Sequence, residues 1–308
     1  MKQLIDISSW QVPAKIDYST LSTSISGAIL RACYGSNKDA SFDVHYNNLL
    51  SNDIPTGAYI FLTNYMTIES QVNALVKTVK DKNLPLGIWL DVELEAGAEF
   101  LTKNTVLKAL SQIEEITGKT LGIYTSKYYW ELIMGGISLN DHPLWVAHYG
   151  VENPALPIGW DTYVLHQYTS SGRLPGYSGN LDLNKFNGTD EQFQTWIKQG
   201  AVPAPIISPD NNPLFKIEVI CNALNIRSGP GTDYTIKGLA YKGDVYNVYE
   251  ESNGWYRIGK GLWVSGYIEY AKKIAQQELD IEKRLTLLES EINSLKIRLS
   301  DLEQKYVE

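Results

Sequence analysis

The stretch LGIWLDVELE, residues 86–95, joins an apolar run to three acidic residues. A short continuous apolar run is typical of a buried parallel strand, and barrel and open-sheet enzymes place their chemistry at the carboxyl ends of such strands. Alternate side chains of a strand point to one face, so Asp91 and Glu93 could act on one bound group. The alternative is a surface turn, or acidic residues that cap a following helix. The spacing alone leaves both open.

Apolar runs of the same kind recur along residues 1–200. Helix-compatible stretches such as VLKALSQIEEI, residues 106–116, separate the first several of them. This alternation predicts a (β/α) barrel of eight strands rather than an open sheet. Little room for helices remains between Trp145 and Asp182, so we expect few helices on that side. In addition to residues 87–93, the apolar runs are LIDIS, GAILRAC, GAYIFL, LGIYTS, LWVAHY, YVLHQY and NLDLNKF.

The chain changes character after residue 200. Residues 201–213, AVPAPIISPDNNP, contain four prolines and read as a semi-rigid linker at a domain boundary. Residues 214–270 show short strands broken by turn sequences such as SGPGTDY and SNG. This pattern predicts a small all-β barrel.

Residues 271–308 lack Gly and Pro and show a heptad pattern of apolar residues. Opposite charges occupy the flanking positions, for example Arg284 and Glu289 in neighbouring chains of a parallel arrangement. We therefore expect a C-terminal coiled-coil helix that forms a parallel homo-oligomer through residues 274–306. A single amphipathic helix docked on its own domain is the alternative, and the choice among dimer, trimer and tetramer stays open. The a positions are Leu285, Ile292 and Leu299, and the d positions are Ile281, Leu288, Leu295 and Leu302.

Composition narrows the classes of partner. The 308 residues carry a formal net charge of −8 and no basic patch, which argues against a nucleic-acid partner and against attachment to an anionic surface by bulk electrostatics. Twenty Tyr and eight Trp favour stacking on flat apolar ligand faces, including sugars, although β-rich packing also favours Tyr. No cofactor is expected. No metal is expected either, because the histidines lack metal-ligand spacing: His45, His142, His148 and His166.

Redox state and location follow from a few local features. Cys33 and Cys221 lie in apolar, strand-like stretches of different predicted domains, so we expect reduced core residues. The first residues, MKQLIDISSW, lack the features of a signal peptide, and no run of 18 apolar residues occurs. These features predict synthesis as a soluble protein in a cytoplasm, without membrane insertion.

Six motifs resemble, in order and spacing, those of glycoside hydrolase family 25 lysozymes. They are DISSWQ at 6–11, GAYIF at 57–61, LDVE at 90–93, IYTS at 123–126, LWVAHY at 144–149 and HQYTSSGRLPGYSGNLDLN at 166–184. The resemblance implies a flattened α/β barrel of eight strands with only five helices. It also implies N-acetylmuramidase activity, which cuts the β-1,4 bond between N-acetylmuramic acid and N-acetylglucosamine in peptidoglycan.

The resemblance assigns the acidic residues. Glu93 matches the family's proton donor, Asp91 its partner, and Asp6 and Asp182 the other two acidic site residues. Glycoside cleavage needs one carboxyl group that keeps its proton, and crowding several carboxylates in one cleft raises the pKa of at least one. The nucleophile is the substrate's own 2-acetamido oxygen or an enzyme carboxylate, and the sequence leaves this open.

Five further residues match sugar-contacting positions, with ordinary barrel packing as the alternative. Three positions depart from the family pattern: Ile60, Tyr34 and His166 stand where members often carry a His, an acidic residue and a Trp. These departures bear on substrate fit more than on the reaction, because all four carboxylates are present. The sugar-contacting candidates are Tyr59, Tyr124, Trp145, Gln167 and Tyr168.

Residues 224–270 resemble bacterial SH3 domains of wall-acting enzymes, through NIRSGPG, GWYRI and WVSGYI. The resemblance implies binding of a peptidoglycan peptide or another wall polymer, with a purely structural module as the alternative. The candidate wall-binding residues are Asn225, Arg227, Tyr234, Trp255 and Trp263.

Together these features predict a modular muramidase of the phage endolysin type. It would stay in the host cytoplasm until lysis and then act on the wall of a Gram-positive host. A bacterial or prophage autolysin, a non-catalytic wall-binding scaffold and a structural virion component are the alternatives.

Overall fold

The computed structural model describes residues 2–94, 101–135, 137, 139–200, 214–259 and 261–274. These residues fall into two compact units, with the division between Asp210 and Asn211. The predicted linker at 201–213 and the predicted coiled coil from residue 275 onward lie outside the described residues.

The first unit is a closed barrel of eight strands with one short extra strand, as expected from the sequence. Strands β1, β2 and β4 to β8 are parallel, and β9 runs antiparallel between β8 and β1. Pairing of β1 with β2 closes the barrel. The strands are β1 (Gln3–Ile7), β2 (Gly27–Tyr34), β3 (Asn37–Lys38), β4 (Thr56–Phe61), β5 (Ile88–Asp91), β6 (Gly122–Thr125), β7 (Leu144–Ala147), β8 (Leu165–Leu174) and β9 (Tyr177–Phe186).

The described residues of this unit contain six α-helices, one more than the five implied by the family resemblance. The shortest, α1, has five residues and begins where the Asp17 side chain accepts a hydrogen bond from the Thr20 backbone N–H. No helix lies between β7 and β8, where the sequence predicted little room for one. The helices are α1 (Tyr18–Ser22), α2 (Phe42–Leu50), α3 (Ile68–Val79), α4 (Lys103–Thr117), α5 (Lys127–Met134) and α6 (Asp190–Gln199).

Alternate residues of each strand separate into two apolar clusters. Leu90 belongs to the larger cluster, which lies between the strands and the surrounding helices, whereas Trp89 belongs to the cluster inside the barrel. Phe193 and Trp196 of α6 also join the inner cluster. Because strand side chains alternate, Asp91 shares the inward face of Trp89. The barrel therefore directs the acidic end of β5 into its own interior.

The second unit is all-β, as the sequence predicted. Its strands form one sheet in the order β13, β10, β17 and another in the order β12, β11, β16, β15, β14. The strands are β10 (Phe215–Val219), β11 (Ala223–Arg227), β12 (Ile236–Tyr241), β13 (Val245–Val248), β14 (Glu250–Ser252), β15 (Trp255–Gly259), β16 (Leu262–Ser265) and β17 (Ala271–Ile274).

The predicted start of the C-terminal helix at residue 271 is wrong. Residues 271–274 form β17, which pairs antiparallel with β10, and Ala271 is buried. The small all-β unit therefore extends beyond residue 270, because pairing with β10 completes its three-stranded sheet. Ile274, expected at the start of the oligomerising segment, lies opposite Lys216 in this pairing.

The two cysteines differ. Cys33 is a free, fully buried thiol on β2, as predicted. Cys221 is also free, but it lies half-buried between β10 and β11, so its assignment to a core was wrong.

No helix in the described part of the chain is both long and apolar enough to cross a membrane.

Candidate active site

All four predicted acidic residues meet at the carboxyl ends of the parallel strands. Asp6 lies on β1 directly opposite Asp182 of β9, and Asp91 ends β5. Glu93 follows two residues later and is half-buried. Asp6, Asp91 and Asp182 line a cleft with a volume of about 100 Å³, whereas Glu93 is not one of its lining residues but lies close enough for its charge to raise the pKa of Asp91 and Asp182. The lining residues of the cleft are Asp6, Tyr59, Asp91, Tyr124, Trp145, Tyr149, Gln167 and Asp182.

Asp6 is held by two side-chain amides. Nε2 of Gln167 donates to Oδ2 of Asp6 at 2.9 Å, and Nδ2 of Asn184 donates to the same oxygen at 2.8 Å. Two donors on one buried oxygen favour the carboxylate form, which only accepts.

Aromatic donors fix the orientation of both amides. Oε1 of Gln167 accepts hydrogen bonds from the hydroxyls of Tyr124 and Tyr149, each at 2.8 Å. Oδ1 of Asn184 accepts from Nε1 of Trp145 at 2.7 Å. Since the oxygens are occupied by these donors, the amide nitrogens must face Asp6.

Burial raises the pKa of all four acidic residues, and the charges of neighbouring acidic groups add to this effect at Asp91, Glu93 and Asp182. Burial raises the pKa of Asp6 to about 6, against the opposing effect of its amide donors. Burial, with the nearby charge of Asp6, raises the pKa of Glu93 to about 7. Burial, with Asp6 and Glu93, raises that of Asp182 to about 8. The cluster therefore retains protons at neutral pH, as an acid catalyst requires.

Asp91 combines deep burial with an unsatisfied acceptor. Its side chain is 4% exposed, and Oδ1 has no hydrogen-bond partner among the described residues. Burial, followed by the charges of Glu93 and Asp6, raises its pKa well above the usual range, while Arg31 lowers it. A buried acceptor without a donor is costly, so a ligand that supplies an N–H or O–H would bind favourably here.

Comparison with known proteins decides the family. Residues 5–177 match the model of glycosyl hydrolases family 25. The chain belongs to glycosyl hydrolase family 25. Its residues 222–269 separately match the model of the bacterial SH3 domain.

Individual lysozymes are similar to this chain in sequence and structure. Lysozyme M1 of Streptomyces globisporus is 31% identical over 204 residues, which cover 61% of this chain and 68% of the relative. The crystal structure of a bacterial lysozyme from Streptomyces coelicolor superposes with a TM-score of 0.60 at 28% identity, over 65% of this chain and 98% of that one. The crystal structure of the CTP1L endolysin superposes with a TM-score of 0.51 at 26% identity, over 65% of this chain and 70% of that one. The family 25 chain is thus a glycoside hydrolase with lysozyme-type activity on peptidoglycan.

The predicted sugar-contacting residues divide into two groups. Tyr59, Tyr124, Trp145 and Gln167 line the cleft. Trp145 is only 2% exposed and packs edge-to-face against Tyr124 at 4.6 Å between ring centroids, so much of its surface serves barrel packing. Tyr168 does not line the cleft.

Tyr168 is instead half-buried and packs against the larger apolar cluster. Its hydroxyl donates to Oε1 of Gln3 at 2.8 Å, and Nζ of Lys185 lies 4.5 Å from its ring centroid. Its neighbour Gln167 faces the cleft. Strand alternation turns consecutive side chains to opposite faces, which explains why the pair cannot both reach the substrate.

Two residues that shape or line the cleft escaped prediction. Asn184 holds Asp6, and its position two residues after Asp182 on a strand was the available signal. Tyr149 lines the cleft and is 50% exposed, yet it follows β7 in a turn, where strand alternation gives no guidance. No group of three or more His, Cys, Asp or Glu within the described ranges is arranged to hold a metal ion.

The second unit has its own groove of about 580 Å³. Asn225, Arg227 and Trp255, three of the predicted wall-binding residues, line it. Trp263 is 7% exposed and belongs to the core instead. Tyr234 is exposed but lies outside the lining, and its carbonyl accepts from Nη1 of Arg227 at 2.8 Å. Residues of the groove that sequence reasoning missed include Tyr267, Glu269 and Tyr270.

Proposed function

We propose that this family 25 enzyme hydrolyses the β-1,4 bond between N-acetylmuramic acid and N-acetylglucosamine, with Glu93 as the proton donor. The observation that carries the proposal is the convergence of Asp6, Asp91, Glu93 and Asp182 on one end of the barrel. Glycosidases use a pair of acidic residues on either side of the scissile bond. The four residues here provide such a pair and two further carboxyl groups that influence its pKa values.

Glu93 is the best placed of the four to act as the acid. Its pKa of about 7 keeps a large fraction protonated at neutral pH and still allows proton release. Asp6 is engaged by two amide donors, which suits a fixed carboxylate rather than a proton donor. Asp182 lies opposite Asp6, and because its pKa is raised to about 8 it keeps a proton at neutral pH and can donate a hydrogen bond to the bound sugar.

Asp91 fits the role of orienting the substrate's acetamido group. Its buried Oδ1 needs a donor, and the N–H of a 2-acetamido group is one. In this route the acetamido oxygen bonds to C1 while the bond from C1 to the leaving oxygen breaks, and that oxygen takes the proton of Glu93. Water then attacks C1 and gives a proton to Glu93. The bond between C1 and the acetamido oxygen breaks, so the five-membered ring formed in the first step opens.

An enzyme carboxylate that attacks C1 directly is the rival route. The two routes differ in their need for the acetamido group. De-N-acetylated glycan strands should resist the enzyme if the acetamido oxygen is the nucleophile. Cleavage of such strands at the rate of acetylated ones would favour the carboxylate.

The groove of the second unit is proposed to bind wall peptide or polymer. Exposed Tyr267 and Tyr270 offer aromatic faces, and Arg227 and Glu269 offer opposite charges within one groove. Such a groove suits a ligand that carries both charges and apolar side chains, as a wall peptide does. Asn225 and Trp255 complete the proposed contact surface.

Residues 275–308 are proposed to form a parallel coiled coil that joins several copies. Their support is the heptad pattern and the matched flanking charges of the sequence. Several linked copies would bind the wall more strongly without new contacts. Deletion from residue 275, which spares β17, should weaken wall binding more than hydrolysis of soluble fragments. A monomer in sedimentation at micromolar concentration would refute the oligomer.

A phage endolysin that waits in the cytoplasm of a Gram-positive host is the proposed biological setting. The similarity to the structure of the CTP1L endolysin and the pairing of a lysozyme unit with a bacterial SH3 domain support it. Expression in such a host should leave cells intact until the membrane is permeabilised. Lysis without permeabilisation would argue instead for an exported autolysin.

The chemistry is tested by digestion of purified peptidoglycan followed by mass spectrometry of the new reducing ends. Muramic acid at those ends identifies an N-acetylmuramidase. Glucosamine at those ends would contradict the proposed bond. Intact wall binding without any new reducing ends would mean that the barrel serves as a binding scaffold.

A further inference from the structure

The exposed aromatic side chains of the first unit gather at the end of the barrel that holds the cleft. Each follows the carboxyl end of a parallel strand, and together they are Trp10 after β1, Tyr65 after β4, Tyr128 after β6 and Tyr149 after β7. No other aromatic side chain among the described residues of this unit is exposed. Trp10 is the most exposed of them, at 80%. Apolar surface concentrated in this way marks an interaction site.

The turn that carries Trp10 is anchored to β2 and to the loop after β3. The backbone N–H of Ser9 donates to Oδ2 of Asp39 at 3.0 Å, and Nη2 of Arg31 donates to Oγ of Ser9 at 2.9 Å. Arg31 and Asp39 also pair with each other, with 2.8 Å between Nε and Oδ2. Both members of a largely buried ion pair therefore hold the residue that precedes Trp10.

Ser8 and Gln11 close the turn on the two sides of Trp10. The backbone N–H of Ser8 donates to Oε1 of Gln11, and the backbone N–H of Gln11 donates to the carbonyl of Ser8, both at 3.0 Å. The same carbonyl accepts from Nε2 of the buried His45 at 3.0 Å. The indole itself has no hydrogen bond or ring contact with the described residues. A fixed backbone thus presents an indole to solvent.

This turn borders the cleft on the side of β9. Trp10 comes four residues after Asp6, which lines the cleft, so their Cα atoms are at most about 14 Å apart. Nε2 of Gln11 donates to the carbonyl of Asn180 at 3.4 Å, and Asn180 precedes Asp182 by two residues on β9. Two residues along a strand span roughly 7 Å. Trp10 therefore lies on the rim, just outside the acidic centre.

The cleft is too small to enclose a glycan strand. Its volume of about 100 Å³ equals that of roughly three water molecules, whereas pockets that enclose drug-sized ligands have about 300 to 1,000 Å³. Sugars beside the cleaved bond must therefore extend over the open rim. An indole offers the largest flat face of any side chain for stacking on the apolar face of a sugar ring.

We propose that Trp10 is a substrate-binding residue that stacks on a sugar of the glycan strand outside the cleft and makes the enzyme prefer long strands. This inference rests on the proposed function, because its ligand is the strand that the cleft cuts. The contact is remote from the reacting atoms, so it lowers KM and leaves kcat unchanged. The anchored turn adds to the affinity, since a residue that is already held in place loses little freedom on binding.

The test is the dependence of KM on strand length, measured for the full chain with peptide-free strands of alternating N-acetylglucosamine and N-acetylmuramic acid. For the wild type, KM should be about tenfold lower on a long strand than on the shortest strand that is cut. Trp10→Leu should lose this gain, because leucine is apolar but has no flat face. Trp10→Phe should keep part of it. Because the indole is exposed, neither substitution should lower the thermal stability.

Ile116→Ala is the control for the loss of an exposed apolar side chain. Ile116 is 54% exposed in the last turn of α4, before β6 begins, so it lies at the opposite end of the barrel from the cleft. Its substitution should leave the gain with strand length unchanged. The measurements are repeated on strands that keep their stem peptides.

A gain in Trp10→Leu equal to that of the wild type overturns the inference, and so does a wild type whose KM is independent of strand length. A loss confined to strands with stem peptides would assign Trp10 to the peptide and overturn its role as a sugar contact. A wild type that cuts no glycan overturns the proposed function instead.

Discussion

Gln167 and Asp6 are joined by a hydrogen bond of 2.9 Å from Nε2 to Oδ2, which links β8 to β1 across the interposed strand β9. The tyrosine hydroxyls on the other end of the amide leave it only one useful orientation. One amide thus connects two aromatic side chains of the cleft rim to a buried carboxylate. This relationship makes the orientation of Asp6 depend on Tyr124 and Tyr149.

Gln167→Glu should therefore lower kcat by tenfold or more with little change in the fold. The new carboxylate has nearly the same shape, but it places an acceptor against Oδ2 of Asp6 and removes the donor. Kinetics on soluble fragments and thermal unfolding measure the two effects. Gln194→Glu, an exposed change on α6, is the matched control. Full activity in Gln167→Glu would contradict the proposed orienting role.

Asp182→Asn should stabilise the protein against unfolding at alkaline pH. The pKa of Asp182 is raised to about 8, so the folded state holds a proton that the unfolded chain releases above about 4. Stability is thus lost as pH rises between those values, and the amide removes this loss. Unfolding free energy should rise by on the order of 1 to 3 kcal/mol at pH 8, and by much less at pH 4.

Chemical denaturation at the two pH values measures this difference. Asp81→Asn, at an exposed position after α3, supplies the control for a lost charge. Equal effects of Asp182→Asn at pH 4 and pH 8 would mean that the carboxyl group ionises normally in the fold.

The barrel and its acidic cleft could be predicted because local signals agree with the tertiary structure. The apolar run that ends at Asp91 is a strand whose carboxyl end faces the cleft. Asn184 and Tyr149 were missed because Asn184 acts through its hydrogen bond to Asp6 and Tyr149 through its hydrogen bond to Gln167. The sequence spacing of residues does not indicate such indirect contacts. Tyr168 lies outside the cleft lining because consecutive side chains of β8 point to opposite faces, which motif matching does not take into account.

The second unit shows the limit of local reasoning in another way. Residues 271–274, AKKI, are compatible with a helix, and no Gly or Pro separates them from the heptads that follow. Pairing with β10 overrides that preference, since it completes a sheet and buries Ala271. Trp263 likewise looked like a ligand contact, although its position on β16 turns it into the core.

His142 should stabilise the first unit in a pH-dependent way. Burial disfavours its charged form, but hydrogen bonds to Asp141 and Glu114 outweigh burial and raise the pKa to about 9. The contribution is complete below the unfolded pKa near 6.5 and is lost as pH rises through about 9. His142→Gln should therefore cost about 1 to 2 kcal/mol at pH 6, after allowance for the exposed partner Asp141, and little at pH 10.

Denaturation of the wild type and His142→Gln at both pH values checks the sign. Enzyme activity at pH 6 and low temperature should be unaffected, because His142 lies outside the cleft. A larger loss of stability at pH 10 than at pH 6 would refute the charged pair.

Tyr267→Ala should weaken wall binding by about tenfold and leave hydrolysis of soluble fragments unchanged. The ring is 65% exposed on the groove of the second unit, so its loss removes a contact surface with little cost to folding. Tyr234→Ala is a close control, because Tyr234 is also exposed but lies outside the groove and keeps its backbone contact to Arg227. Pull-down on purified walls measures both. Equal loss in the two variants would place the binding surface elsewhere.

The most direct test of the central claim is digestion of purified peptidoglycan by the wild type and by Glu93→Gln, with mass spectrometry of the reducing ends at several pH values. The account predicts muramic acid at the new ends, a decline of wild-type activity as pH rises through about 7, and a loss of a hundredfold or more in the variant. Glu93→Gln with near wild-type activity, or a wild-type profile without that alkaline decline, would contradict Glu93 as the proton donor.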